Sequence, residues 1–175
     1  MPPLEEKDLR IEIPAGVNAR KFDAESHGFM KAVDFIIEEK NRIIFVEFKD
    51  PDNPESEPKD KEKFADKFIT GEKDSDLYYK YRDSFLYEWA SGRIDDSKKH
   101  IYCVLVSLES LDAPLLMARS DVLKKKLPVG IPQNTSWKKT IADGCVVFNI
   151  KSWNKSFPQY QVSRISASTP IRPTP

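Results

Sequence analysis

The chain has 175 residues, of which 39% are hydrophobic and 32% charged, a balance that suits one globular domain able to bury a core. Its 28 Lys and Arg offset 28 Asp and Glu, so a formal net charge of zero excludes any general attraction to nucleic acid or anionic membrane. The first ten residues, "MPPLEEKDLR", lack a signal-peptide apolar core, and no run reaches the ~20 apolar residues of a membrane span, so the expectation is a cytoplasmic protein.

Taken in chain order, "LRIEIP" and "NARKFD" alternate weakly and read as short strands. "KAVDFIIEE" and "RIIFVEFKD" follow, rich in Ile, Val and Phe and separated by "KN", the signature of a hairpin with a tight turn. "DPDNPESEPKD", residues 50 to 60, holds three prolines and reads as an exposed loop. "KEKFADKFI" places Phe64 with Phe68 and Ala65 with Ile69 at helical spacing. A longer helix is predicted in "DSDLYYKYRDSFLYEWASG", with Leu77, Tyr78, Tyr81, Phe85 and Trp89 on one face, Ser75 or Asp76 as cap and Gly92 as stop. "HIYCVLVSL" reads as a central strand covered on both faces. "SDVLKKKL" predicts a short helix capped by Ser120, "GCVVFNI" and "YQVSRI" two further strands, and "SASTPIRPTP" a disordered tail. Residues 1–165 therefore form one domain and 166–175 the tail. The order of strands, helices, strand, helix and strands predicts a mixed α/β sheet flanked by helices.

Two features are set aside. Cys103 and Cys145 lie in apolar strand-like runs without metal spacing and read as buried free thiols. His27 and His100 are isolated; neither has a partner at a useful spacing, although His27 stands just ahead of the hairpin.

Charge inside the hairpin is the anomaly. Asp34 interrupts "AVDFII", and Glu47 and Lys49 interrupt "IIFVEFKD". Ionised groups are rarely buried unless paired or bound to metal. A two-residue "KN" turn makes facing residue numbers sum to 81, which sets Asp34 opposite Glu47, while strand alternation puts Lys49 on the same face as Glu47. Opposed carboxylates repel, and Mg²⁺, a hard cation that prefers oxygen ligands, would offset the repulsion; an ion cluster neutralised by Lys49 is the alternative. Lys80 and Arg82 in "YYKYRDS" flank the long helix's apolar face, within reach of a phosphate or on a solvated flank. "LKKKLPVGIPQNTSWKKT" is the most basic segment, with Lys124, Lys125, Lys126, Lys138 and Lys139 around Trp137.

"VDFII" followed by a hairpin and "FVEFK" resembles the signature of the PD-(D/E)xK nuclease superfamily, the restriction-endonuclease-like fold. Its pattern is an acid near the start of one core strand and acid-x-Lys in the next. Asp34 matches the first acid, Glu47 the second and Lys49 the lysine, with Val33 where proline often stands. The resemblance covers residues 30 to 50 and implies an α-β-β-β-α-β core. It implies Mg²⁺, with Mn²⁺ as substitute, on Asp34 and Glu47, and a Lys49 that assists phosphodiester hydrolysis of DNA. Double-strand cutting by this fold commonly uses two sites, which implies a homodimer. Many members add a Glu from a leading helix; here Glu5, Glu6, Glu12 and Glu25 are all open. The competing reading is an inactive relative serving as a nucleic-acid or protein binding module.

Overall fold

The computed structural model describes residues 2–25 and 27–168. Along the chain lie β1 (Leu4–Glu6), β2 (Leu9–Ile11), β3 (Asn18–Lys21), β4 (Phe35–Glu38) and β5 (Arg42–Lys49), then α1 (Pro58–Thr70) and α2 (Asp74–Ala90). β6 (Lys99–Val106), α3 (Ala113–Lys126), β7 (Gly144–Phe148), α4 (Ile150–Ser156) and β8 (Val162–Arg164) follow, with a short 3-10 turn at Ser166–Ser168.

The central sheet runs β3-β4-β5-β6-β7. β3, β4 and β5 form an antiparallel meander, and β6 and β7 add in parallel to β5. A three-stranded antiparallel sheet, β1-β2-β8, stands apart from it. The period-two alternation of β5 and β6 divides the core. Ile43, Phe45, Tyr102 and Val104 face Phe68, Leu77, Tyr81, Leu116 and Leu123 of the first three helices. Ile44, Val46, Phe48, Cys103 and Leu105 face Leu9, Ile11, Trp153, Tyr160 and Val162. The protein is thus a mixed α/β domain whose central sheet is covered on both sides. Among the described residues no helix is long and apolar enough to cross a membrane.

The structure corrects the sequence reading at several points. No helix precedes β3 among the described residues, so the leading helix of the expected core is absent. That segment is a strand, as "LRIEIP" predicts, with buried Leu9 and Ile11 alternating around Arg10. α3 begins at Ala113, capped by the Asp112 side chain, which accepts from Leu115 N at 3.0 Å. Pro114 looks like a breaker, but in a first helical turn its missing N–H costs nothing. Ser120, expected as the cap, lies inside that helix, donates to Leu116 O and accepts from Val147 N of the edge strand β7.

"NIKSW" turns from strand to helix through a capping box of Asn149 and Ser152, which buries Trp153. Neither Ser75 nor Asp76 caps α2, whose first turn follows Lys73 without a side-chain cap. Trp89 is 62% exposed, and the buried stripe runs through Leu77, Tyr81, Ser84 and Glu88 instead. The loop after β5 is exposed only in part, since Asp50 and Pro51 are buried. Ser166 ties the start of the expected tail back by donating from its backbone N–H to Asp8 at 2.8 Å; residues 169–175 lie outside the described residues.

Candidate metal centre at the open end of the hairpin

The hairpin has the register read from the sequence. Phe35 pairs with Val46 and Glu38 with Ile43, and Glu39 N donates to Arg42 O at 2.8 Å across the "KN" turn. Continued one step, that register sets Asp34 opposite Glu47. Asp34 is 4% exposed and Glu47 0%. Their face of the sheet is the one that carries Ile43 and Phe45 further down β5, so the apolar column under α2 ends in carboxylates.

Two ammoniums meet those acids. Lys49 Nζ lies 2.6 Å from Glu47 Oε1, and Lys80 Nζ reaches in from α2 to 2.7 Å from the same oxygen and 3.6 Å from Asp34 Oδ1. Asp34 Oδ2 also accepts from Phe48 N at 2.6 Å, which fixes the carboxyl against β5. Glu47 Oε2 is buried without a hydrogen-bond partner among the described residues, and so is the Tyr102 hydroxyl on the same face. Burial, with the negative charge of Glu47 adding to it, pushes the Asp34 carboxyl up to about 7. Burial also raises Glu47, against the pull of Lys49 and Lys80. For Lys80 burial works against the charge, but Glu47 and Asp34 outweigh it and raise the ammonium.

The N-terminal segments supply two more acids. Phe22 N donates to Asp34 O at 2.7 Å, closing the β3–β4 loop and bringing Asp23 up to Asp34. Lys21 Nζ, on the strand before it, holds Glu6 Oε2 at 2.8 Å and Glu5 O at 2.9 Å. One carboxylate oxygen each from Glu6, Asp23 and Asp34 lie within 4.8 Å of one another. Partial burial, with Glu6 beside it, raises the Asp23 carboxyl. Four carboxylates (Glu6, Asp23, Asp34 and Glu47) therefore share the site with three ammoniums (Lys21, Lys49 and Lys80). The surplus negative charge, the orphaned Glu47 oxygen and the all-oxygen donor set fit a hard divalent cation such as Mg²⁺ or Mn²⁺.

The sequence-predicted residues separate cleanly. Asp34, Glu47, Lys49 and Lys80 converge. Of the four open glutamates only Glu6 joins them; Glu5 pairs with Arg10, and Glu25 with Arg20 and Arg93. Asp23 was missed, although its place two residues past a strand that pairs with β4 is the signal that could have found it. Arg82 stays outside the cluster: its guanidinium pairs with Asp83 at 2.8 Å and lies over the Tyr79 ring at 4.5 Å.

The basic segment around Trp137 sits at the other end of the sheet, where Gly144 pairs with Ile101 and Asp143 N donates to His100 O. Arg42, which marks that end of β5, is five residues from Glu47, roughly 17 Å along a strand. His27 is wedged between the rings of Phe22 and Tyr87, with centroids 4.3 and 4.5 Å away, and His100 is buried beside Phe85. Both cysteines are free and buried, and burial pushes the Cys145 thiol up to about 12.

No protein-family model matches the chain, and neither a curated protein nor a solved structure matches it.

Proposed function

We propose that this chain is a metal-dependent phosphodiesterase, a nuclease of the restriction-endonuclease-like type that acts on DNA. One observation carries the reading: two carboxylates on facing positions of adjacent strands, 4% and 0% exposed, with a lysine of the same strand face in contact with one of them. Burying opposed acids is costly, and nothing in the packing of the hairpin calls for it. The β-β-β-α-β part of the expected core, formed by β3, β4, β5, α2 and β6, supports the finer fold, and Glu6 and Asp23 are further acids beside Asp34 that could complete the site.

Asp34 and Glu47 would hold the cation, with Asp23 and Glu6 as further candidate ligands beside Asp34. When bound, the cation activates water and neutralises phosphate charge. Asp34, held by Phe48 N, fixes its own carboxylate; Lys49, tethered by Glu47, presents its ammonium to the charge that develops on the phosphate. The side chain of Lys49 is 23% exposed, so a substrate phosphate can reach it.

Incubating the protein with single-stranded, double-stranded and branched DNA, and with RNA, in Mg²⁺, Mn²⁺ or EDTA tests the reading. Metal-dependent cleavage that disappears in Asp34→Asn and Glu47→Gln is expected. Failure to cut any of these substrates with either metal would overturn it. In that event the binding-module reading takes over, favoured by one contact pattern: both ammoniums already close on Glu47 Oε1.

A further inference from the structure

Lys80 stands in the space that the two principal acids share. Its ammonium lies 2.7 Å from Glu47 and 3.6 Å from Asp34, whereas Lys49 pairs with Glu47 alone. Each of those carboxylates has an unsatisfied need: Asp34 faces a second negative charge, and Glu47 has an oxygen with no hydrogen-bond partner among the described residues. A divalent cation held by Asp34 and Glu47 through these oxygens would compete with the Lys80 ammonium for them.

We propose that Lys80 is an exchangeable counter-ion: it holds Asp34 and Glu47 together in the metal-free protein, and metal binding displaces it toward the substrate phosphate. That exchange rests on the metal-site reading above.

The side chain is built for such a movement. Lys80 hangs from α2 on a flexible four-carbon stem, and at 20% exposure it already borders solvent, while Glu47 beneath it is sealed. Lys49, by contrast, belongs to the strand that carries Glu47 and would keep its place. The groups facing Lys80 are Asp34 and Glu47 from the sheet, Asp23 from the β3–β4 loop and Asp76 from the preceding turn of its own helix, and Asp76 is held by Lys31. Once a cation replaces it, the ammonium has lost its two partners; Asp76 is already paired with Lys31, and Asp23 belongs to the acids gathered around the cation. A phosphate arriving at the cation is the group that can take it. Metal and phosphodiester binding should therefore reinforce each other, and by thermodynamic reciprocity each should strengthen the other by the same factor.

Calorimetric titration with Mn²⁺, with and without a short phosphorothioate oligodeoxynucleotide, tests this on the wild-type protein, Lys80→Met and Lys80→Gln. Both variants should bind Mn²⁺ more tightly than wild type, by about fivefold to a hundredfold, because the competitor is gone. The oligonucleotide should tighten Mn²⁺ binding in wild type and lose that effect in both variants. In EDTA the variants should melt cooperatively but below wild type, and Mn²⁺ should restore them. An unchanged or weaker Mn²⁺ affinity in Lys80→Gln, with wild type binding normally, would overturn the exchange and leave the metal site standing. Absence of a Mn²⁺ isotherm in all three proteins would overturn the metal site itself, and the exchange with it.

Discussion

Two of the places where the molecule buries charge treat it differently. Between α2 and α3, Asp74 pairs with Arg119; both are at most 5% exposed, and the Arg119 guanidinium lies 5.3 Å over the Phe68 ring. There one acid meets one base, and the surroundings are fitted to the pair: Gly71, at φ +88°, leaves room for the Asp74 carboxylate, since a Cβ there would come within 2.9 Å of its Oδ2. At the open end of the hairpin four acids meet three bases, one carboxylate oxygen is orphaned, and Asp34 is raised far above its ordinary range. In the first arrangement the charges pair one to one, with Arg119 Nε alone left without a hydrogen-bond partner among the described residues. The second leaves acids in excess of bases, which on the metal-site reading is the difference between a structural ion pair and a site.

Substitutions should reveal that difference as opposite signs. Arg119→Ala strands a buried carboxylate and should cost about 3–5 kcal/mol of stability, read from chemical denaturation, while sparing Mn²⁺ binding in whatever remains folded. Should Arg119→Ala cost less than about 1 kcal/mol, the pair is no more structural than a surface bridge. Lys49→Ala should do the reverse. It should lower kcat by about 10² or more while leaving the Mn²⁺ isotherm in place, since removing one donor to developing charge typically costs that much and an ammonium is not a ligand. Equal cleavage by Lys49→Ala and wild type would remove Lys49 from the chemistry.

The same contrast explains what could be read from the sequence. The hairpin was legible because three local rules agree there: period-two apolarity, a two-residue turn, and charges that violate the pattern. Asp34, Glu47 and Lys49 follow from those rules alone. The leading hairpin's pairing and α4 were not legible. Their short segments have weak periodicity, and what fixes them is tertiary: β2 pairs with β8 across most of the chain, and Trp153 fills the core beneath β5. Asp23 was missed, and Glu6 stood undistinguished among four open glutamates, for the same reason. The cues near Asp23 are weak, and what brings both to Asp34 is the closure of the β3–β4 loop and the Lys21 bridge. Trp89 misled because its spacing fits the helical stripe, yet it lies near the last turn of α2 at 62% exposure, where nothing packs over it.

Asp34 gives the next test, because its raised carboxyl has a definite sign. A folded-state value of about 7 against an ordinary 3.8 means the folded protein takes up a proton more readily than the unfolded chain. Its contribution to stability is therefore complete below about pH 4 and is lost as pH rises through 7. In EDTA the wild-type protein should lose this part of its stability between pH 4 and 8, and Asp34→Asn should flatten that loss and melt higher than wild type at pH 8. Mn²⁺ must displace the same proton, so its affinity for wild type should fall as pH drops below 7, and Asp34→Asn should abolish the isotherm. A variant that melts lower than wild type at pH 8 would show that Asp34 is satisfied after all, as Asp74 is.

Arg82 marks the small end of the scale. It is two residues from Lys80 on α2, yet its side chain is 46% exposed, pairs with Asp83 and lies on Tyr79 and Tyr78. An exposed pair of this kind is worth about 0–1 kcal/mol, so Arg82→Ala should scarcely move the melting temperature. It touches neither Asp34 nor Glu47, so the Mn²⁺ isotherm and kcat should hold. What it can affect is the approach of a polyanion. If the DNA backbone crosses α2 beside the site, binding should weaken a few-fold, and the slope of log Kd against log salt should fall by about one, the signature of a single lost phosphate contact. A fall in kcat without a change in that slope would place Arg82 inside the chemistry and move the boundary of the site outward along α2. An unchanged slope with unchanged kcat would confine the charged working surface to Lys49, Lys80 and the four acids they face.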